Sequence, residues 1–136
     1  MVVRQPLPSV AAVVSFIDGI NRGDVAHLAS LMSDDHRLHV FDEPPLDGKE
    51  ANIEGWKGYT SSFPDYVIYP HQLVARNAEV IVLGHTTGSH LDLPDEQESR
   101  LTLLWRAIVR DGRLELWQLI ADTPDRRIEF DVGYDA

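Results

Sequence analysis

The order of hydrophobic periodicities constrains this chain more than any other feature. Apart from one early strand, apolar residues recur at helical spacing through residue 62 and alternate at strand spacing from 66 to 122. A chain that places helices first and strands last does not build interleaved βαβ units. It is expected to fold as α+β, with helices packed on one face of a sheet.

Pro8-Ser9 opens the first helix, with Ser9 as its cap. Val10, Val13, Val14 and Ile17 form its apolar stripe, which Phe16 and Ile20 extend. Asn21-Arg22-Gly23 ends it, because glycine accepts the left-handed cap conformation. Asp24 can cap a second helix faced by Val25, Leu28, Leu31 and Met32. Residues 36–41 read as a strand with Leu38 and Val40 on one face and His39 and Phe41 on the other. A third helix is predicted over 49–62, with Ile53, Trp56 and Tyr59 on one side. Gly55 and Gly58 each weaken it by about 1 kcal/mol. Strands follow at 66–75, 78–90, 99–110 and 113–122. Asp111-Gly112 is a type I′ hairpin signal, and Pro70 places its strand at an edge or a bulge. The acidic stretch 92–98 reads as a loop. In the polar tail 124–136, Ile128, Phe130 and Val132 alternate, which reads as a docked extra strand or a frayed end. At 136 residues the whole chain, 1–136, is expected to be one domain.

Charge narrows the partners. Twenty-two acidic against 12 basic residues leave a net charge of −10. Such a surplus repels phosphate backbones and anionic lipid, so neither nucleic acid nor membrane is an expected partner. With no cysteine there is no disulfide, thiol nucleophile or thiolate metal site. His36, His39, His71 and His90 show no metal-ligand spacing, and neither a metal nor a cofactor is expected. Glycine-rich phosphate loops, a G-x-S-x-G elbow and a dinucleotide fingerprint are missing. No apolar run nears the ~18 residues of a membrane span. The opening residues lack the apolar core of a signal peptide, so a cytoplasmic location is expected.

Three segments carry a family resemblance: FIDGINRGDVAHLASLMSDDHRLHV, DGKEANIEGWKGYTSSFPDY and VRDGRLELWQLIAD. Over about residues 8–123 the chain resembles the NTF2-like superfamily, in its SnoaL-like and ketosteroid-isomerase-like branch. The resemblance implies a cone: three N-terminal helices on the concave side of a strongly curved, mainly antiparallel sheet, with a pocket between the third helix and the sheet. It also implies a homodimer formed through the outer sheet face. The same resemblance puts the isomerase tyrosine at Phe16, its base at Val40 and its second oxyanion acid near Arg106, none of which has the required group. The base of SnoaL-like cyclases falls on Gln118, and the aspartate of limonene-epoxide-hydrolase-like members falls on Leu119. Steroid isomerisation by the family mechanism is therefore not expected.

Strand parity supplies other candidates. Asp42 shares a side with Val40 and is the surviving candidate base, the alternative being a solvent-facing turn residue. His85 shares a face with Ile81 and Leu83 and could be an acid or base, or else a half-buried sheet histidine. Val40, Trp56, Tyr59 and Trp117 are expected to line the pocket. Arg106 alternates with Leu104 and Ile108, as a pocket cation for a ligand anion or as the partner of Glu115 or another strand neighbour. Trp105 then lies on the opposite, outer face, where it would be buried in a dimer. Two functions remain open. One is a protein that binds a small, largely apolar molecule and catalyses cofactor-free proton transfer of the isomerase, cyclase or dehydratase type. The other is a non-catalytic ligand-binding or assembly module.

Overall fold

Turn chemistry sets most element boundaries in the computed structural model of the chain, which describes residues 8–133. Helix α1 (Pro8–Arg22) stops where Gly23 takes φ +64°. The Asp24 carboxylate accepts the His27 amide proton at 3.0 Å and starts α2 (Val25–Ser30). Strand β1 (Met32–Val40) follows, four residues longer at its start than the alternation alone suggested. A two-residue β2 (Leu46–Asp47) leads into α3 (Lys49–Ser62). Strands β3 (Val67–Arg76) and β4 (Glu79–Thr87) turn at Asn77, whose φ is +54°. One helical turn, α4 (Asp95–Glu98), lies within the acidic connection to β5 (Leu103–Arg110). Asp111 and Gly112 take φ +52° and +76°, as a type I′ turn requires, and lead into β6 (Arg113–Ala121). Helix α5 (Pro124–Phe130) comes last.

The sheet is curved and runs β2-β1-β6-β5-β4-β3. Only the β1–β6 pair is parallel; the other neighbours are antiparallel. Pro70 sits on the edge strand β3 at a register shift, where its missing N–H breaks no regular ladder. Gly84 lies opposite it, and a Cβ there would fall 2.3 Å from the Tyr69 carbonyl oxygen. The backbones approach too closely for any other residue.

Helices α1 and α3 pack on one face of this sheet. The main core forms there: Phe16, Ile20 and Leu28 meet Val82, Trp105 and Trp117. A second core lies on the opposite face, where Phe130 and Val132 cover Ile81, Leu83, Leu104 and Ile120.

This second core corrects two expectations. The segment after residue 123 forms a helix rather than a strand. Thr123 accepts the Arg126 amide proton at 3.2 Å and Pro124 takes the first turn, a cap-and-proline signal that outweighs the alternation of Ile128, Phe130 and Val132. The end of the tail, 134–136, lies outside the described residues. Trp105 is also misplaced by parity. It is 0% exposed in the single chain and stacks on Trp117 at 6.4 Å, on the helix side. Because α5 covers part of the outer face, both rows of β4 and β5 are apolar. Alternation then cannot tell inside from outside.

Candidate functional site

Between α3 and the sheet lies a cavity of about 310 Å³. The sheet supplies its apolar floor, with Leu38 and Val40 from β1, Leu103 from β5, and Trp117 and Leu119 from β6. On α3, positions 52, 56 and 59 lie on one helical face, so Asn52, Trp56 and Tyr59 form the opposite wall. Tyr66, Thr86, Ser89 and His90 close one side, and Phe41 closes another.

Asn52 ties the wall to its surroundings. It is 0% exposed. Its Nδ2 donates toward the carbonyls of His36 at 3.1 Å, Leu46 at 3.0 Å and Gly48 at 2.8 Å. This holds the start of α3 against β1 and β2. Its Oδ1 has no partner among the described residues, and neither does the indole Nε1–H of Trp56.

Tyr59 and His90 form the exposed polar edge. The phenol oxygen lies 3.0 Å from His90 Nδ1 and accepts the His90 amide proton at 3.3 Å. Burial pushes the Tyr59 phenol above its usual value, against the opposing effect of that amide. Tyr66, packed edge-on against Tyr59 at 5.0 Å, is pushed further up by its deeper burial. Behind this side lies Glu98, which is 1% exposed. Its carboxylate accepts from the Thr86 hydroxyl at 2.5 Å and the Ser89 amide at 3.4 Å. A buried carboxylate thus stands one hydroxyl away from the cavity.

The predicted site residues divide into two groups. Val40, Trp56, Tyr59 and Trp117 meet around this cavity. Asp42, His85 and Arg106 do not line it. Asp42 is exposed beyond the end of β1, where Phe41 takes φ +49° and breaks the alternation that put Asp42 beside Val40. His85 faces the outer side with Ile81 and Leu83; it stacks on Tyr69 at 4.6 Å, and its Nδ1 lies 2.6 Å from His71 Nε2. Desolvation first, then His71, depress its basicity. Arg106 donates to Glu79 at 2.6 Å on that outer face, so it is a strand-neighbour ion pair and not a cavity cation.

Asn52, Tyr66, Thr86, Ser89 and His90 were missed. Asn52 was legible in principle, four residues before Trp56 on the same helical face. His90 and Glu98 were not, since the loop and single turn between β4 and β5 carry no periodicity. Among the described residues no group of three or more His, Asp or Glu side chains is placed to hold a metal ion. No described helix is long and apolar enough to cross a membrane.

Comparison with solved structures shows the fold. A cystatin-fold protein from Novosphingobium aromaticivorans, itself uncharacterised, superposes with a TM-score of 0.72 at 15% identity, covering 85% of this chain and 99% of that one. An NTF2-like protein of unknown function from Cytophaga hutchinsonii gives 0.67 at 9% identity over 93% and 99%. TerC, co-crystallised with polyporic acid, gives 0.68 at 16% identity over 93% and 100%. No curated protein matches the chain in sequence. Residues 13–117 match the SnoaL-like domain model, and the chain belongs to that family, within the NTF2-like superfamily.

Proposed function

We propose that this protein binds a small, largely apolar molecule in the cavity between α3 and the sheet. The observation that carries the reading is the cavity's make-up: an aliphatic and indole floor with a few convergent polar groups on the facing wall. TerC, which shares the fold, was crystallised with a small molecule. An open cavity with convergent polar groups favours ligand binding over a pure assembly role. The test is a chemical-shift titration with neutral bicyclic aromatics. Shifts should concentrate at Trp56, Leu103 and Trp117, and Val40→Phe, which fills the cavity, should abolish them. Shifts confined to the outer face would sink the reading.

A second reading, cofactor-free proton transfer, draws on the Tyr59–His90 pair. It takes the role assigned above to Asp42 and His85. A histidine at the cavity edge can take a proton from a bound ligand, and a coupled phenol can return one. Exchange of an acidic C–H of a bound ketone in deuterium oxide would report it. His90→Ala should slow that exchange by about 10²-fold or more. Unchanged exchange would leave binding alone. The same reading takes the chain as one cytoplasmic domain that pairs through the part of the outer sheet face that α5 leaves uncovered. Ile108 and Leu116 are paired neighbours there.

A further inference from the structure

We propose that the apolar body of the ligand is longer than the cavity, and that its outer part lies against Phe41 and Leu91 at the mouth. The inference rests on the binding reading above and adds the ligand's shape and the two residues that select for it.

Exposure locates the mouth. Among the described residues, Phe41, Gly55, His90 and Leu91 both line the cavity and are exposed to solvent. A residue with both properties stands at the opening. Phe41 and Leu91 are the large apolar ones, 42% and 50% exposed. Leu46, also exposed, adjoins this rim: a Cβ on Gly55 would lie 3.4 Å from its Cδ2. The polar rim residue, His90, has its Nδ1 engaged by the Tyr59 phenol at 3.0 Å. The apolar lining of the floor therefore continues through the mouth onto the surface.

Both rim side chains are held in place by hydrogen-bonded turns. Alternation along β1 would turn residue 41 away from Val40 and the cavity. Phe41 returns to the cavity side because its backbone takes φ +49°, a left-handed conformation that a residue with a Cβ resists. Its N–H donates to the Leu119 carbonyl at 3.0 Å, and the Glu43 amide donates to the Val40 carbonyl at 2.9 Å. On the other side, the Ser89 hydroxyl accepts the Leu91 amide proton at 3.2 Å, and the Ser89 carbonyl accepts that of Asp92 at 3.3 Å. Ser89 is anchored in turn by the buried carboxylate of Glu98. Two large apolar side chains are thus fixed against water at the opening, and whatever covers them gains the burial of that area. The cavity's own ligand reaches them directly, because both are walls of the same cavity. A molecule enclosed at depth leaves them in water; one that extends through the mouth covers them.

The experiment titrates the protein by calorimetry with hexyl, octyl, decyl and dodecyl tetraethylene glycol ethers, each below its micelle concentration. The glycol head stays in water and marks the outer end of the tail. A fully buried methylene tightens binding about fourfold, and one covered on a single side about twofold. Affinity should keep rising by at least about twofold per methylene up to the dodecyl ether. Phe41→Asn, which tolerates the left-handed turn, and Leu91→Ser are combined in one variant. Its penalty should grow with tail length, from less than about twofold at hexyl to about tenfold at dodecyl. A penalty equal at every length, or a wild-type affinity that stops rising in the same place as the variant's, overturns the inference and leaves the binding reading standing. If the rim variant instead changes the mass in light scattering, or abolishes sedimentation with phosphatidylcholine vesicles, a second copy or a membrane covers the rim and the inference fails. Val40→Phe, which fills the cavity, should weaken all four ethers. If no ether binds, or Val40→Phe changes nothing, the binding reading falls and the inference with it.

Discussion

His36 shows what a single buried polar residue does in this fold. It lies in the main core beside Phe16, with ring centroids 5.8 Å apart. Its Nδ1–H donates to the Leu114 carbonyl at 2.7 Å, and Nε2 has no partner among the described residues. Desolvation holds its pKa below the usual histidine value, so the folded state keeps the ring neutral. The unfolded chain protonates it near 6.5. Stability tied to His36 is thus complete above that pH and is lost as pH falls toward the depressed folded value. Urea titrations from pH 7 to 5 should show declining stability, and His36→Gln should flatten the decline. His85 shifts in the same direction from a more exposed place, so His85→Ala should leave most of the slope intact. A wild-type slope in the His36 variant would contradict the assignment. Phe16 and Val40 add a negative prediction. Phe16 is core, Val40 is cavity wall, and neither carries a transferable proton. A 3-oxo-Δ5-steroid should not be isomerised above the buffer rate in a standard absorbance assay; robust turnover would show that another cavity group serves.

At the scale of elements, α5 is the part whose role was hardest to foresee. It is held by a charge cluster as well as by Phe130. Arg127 donates to both oxygens of Asp122, at 2.7 and 2.6 Å, and Thr102 donates to the same carboxylate at 2.5 Å. The Arg127 bonds, then Thr102, hold the Asp122 carboxyl below its ordinary range despite desolvation. The stability this provides is present above about pH 4 and is lost as pH falls through the depressed folded value. Arg127→Ala should cost roughly 1–2 kcal/mol, since the arginine is partly solvated, and should flatten the acid limb of the stability profile. An unchanged acid limb would mean that Asp122 is held by something else. Phe130→Ala should cost about 3–5 kcal/mol by uncovering the second core, measurable by thermal melting. Helix α3 makes the converse point. Gly55 and Gly58 lower its local propensity, yet it runs its full 14 residues. Its Trp56 face is needed to cover the sheet, and tertiary burial overrides the local cost.

The whole molecule offers one outer sheet surface to a second copy. Trp105 is already buried against Trp117, so the proposed homodimer would use what α5 leaves free of the outer face, around the Arg106–Glu79 pair, Ile108 and Leu116. Light scattering should give the mass of a dimer. Ile108→Lys should release monomers, while Trp105→Phe should lower stability without changing the mass. A monomer at high concentration would refute the homodimer reading. The order of the three N-terminal helices and the five long strands, the Gly23 and Asp111-Gly112 turns, the Asp24 cap and the α3 stripe were legible in the sequence, while β2, α4 and α5 were not. Each legible feature depends on residues within a few positions of one another, where periodicity and backbone sterics act directly. The facing of Leu38 in β1 was legible too, because it stands between Arg37 and His39, whereas in β6 Trp117 and Leu119 have apolar Leu116 and Ile120 beside them and their facing came from the family resemblance. The facing of β4 and β5 was not. Ile81 and Val82, or Leu104 and Trp105, are equally apolar, and only the docking of α5 decides which row meets the helices. The polar members of the site depend on tertiary structure for the same reason. Asn52 gains its fixed orientation from carbonyls on β1 and β2, and His90 meets Tyr59 across 31 residues of chain. Local sequence sets which way a residue can point along its own element; what it meets there is set by the packing of elements far apart in the chain.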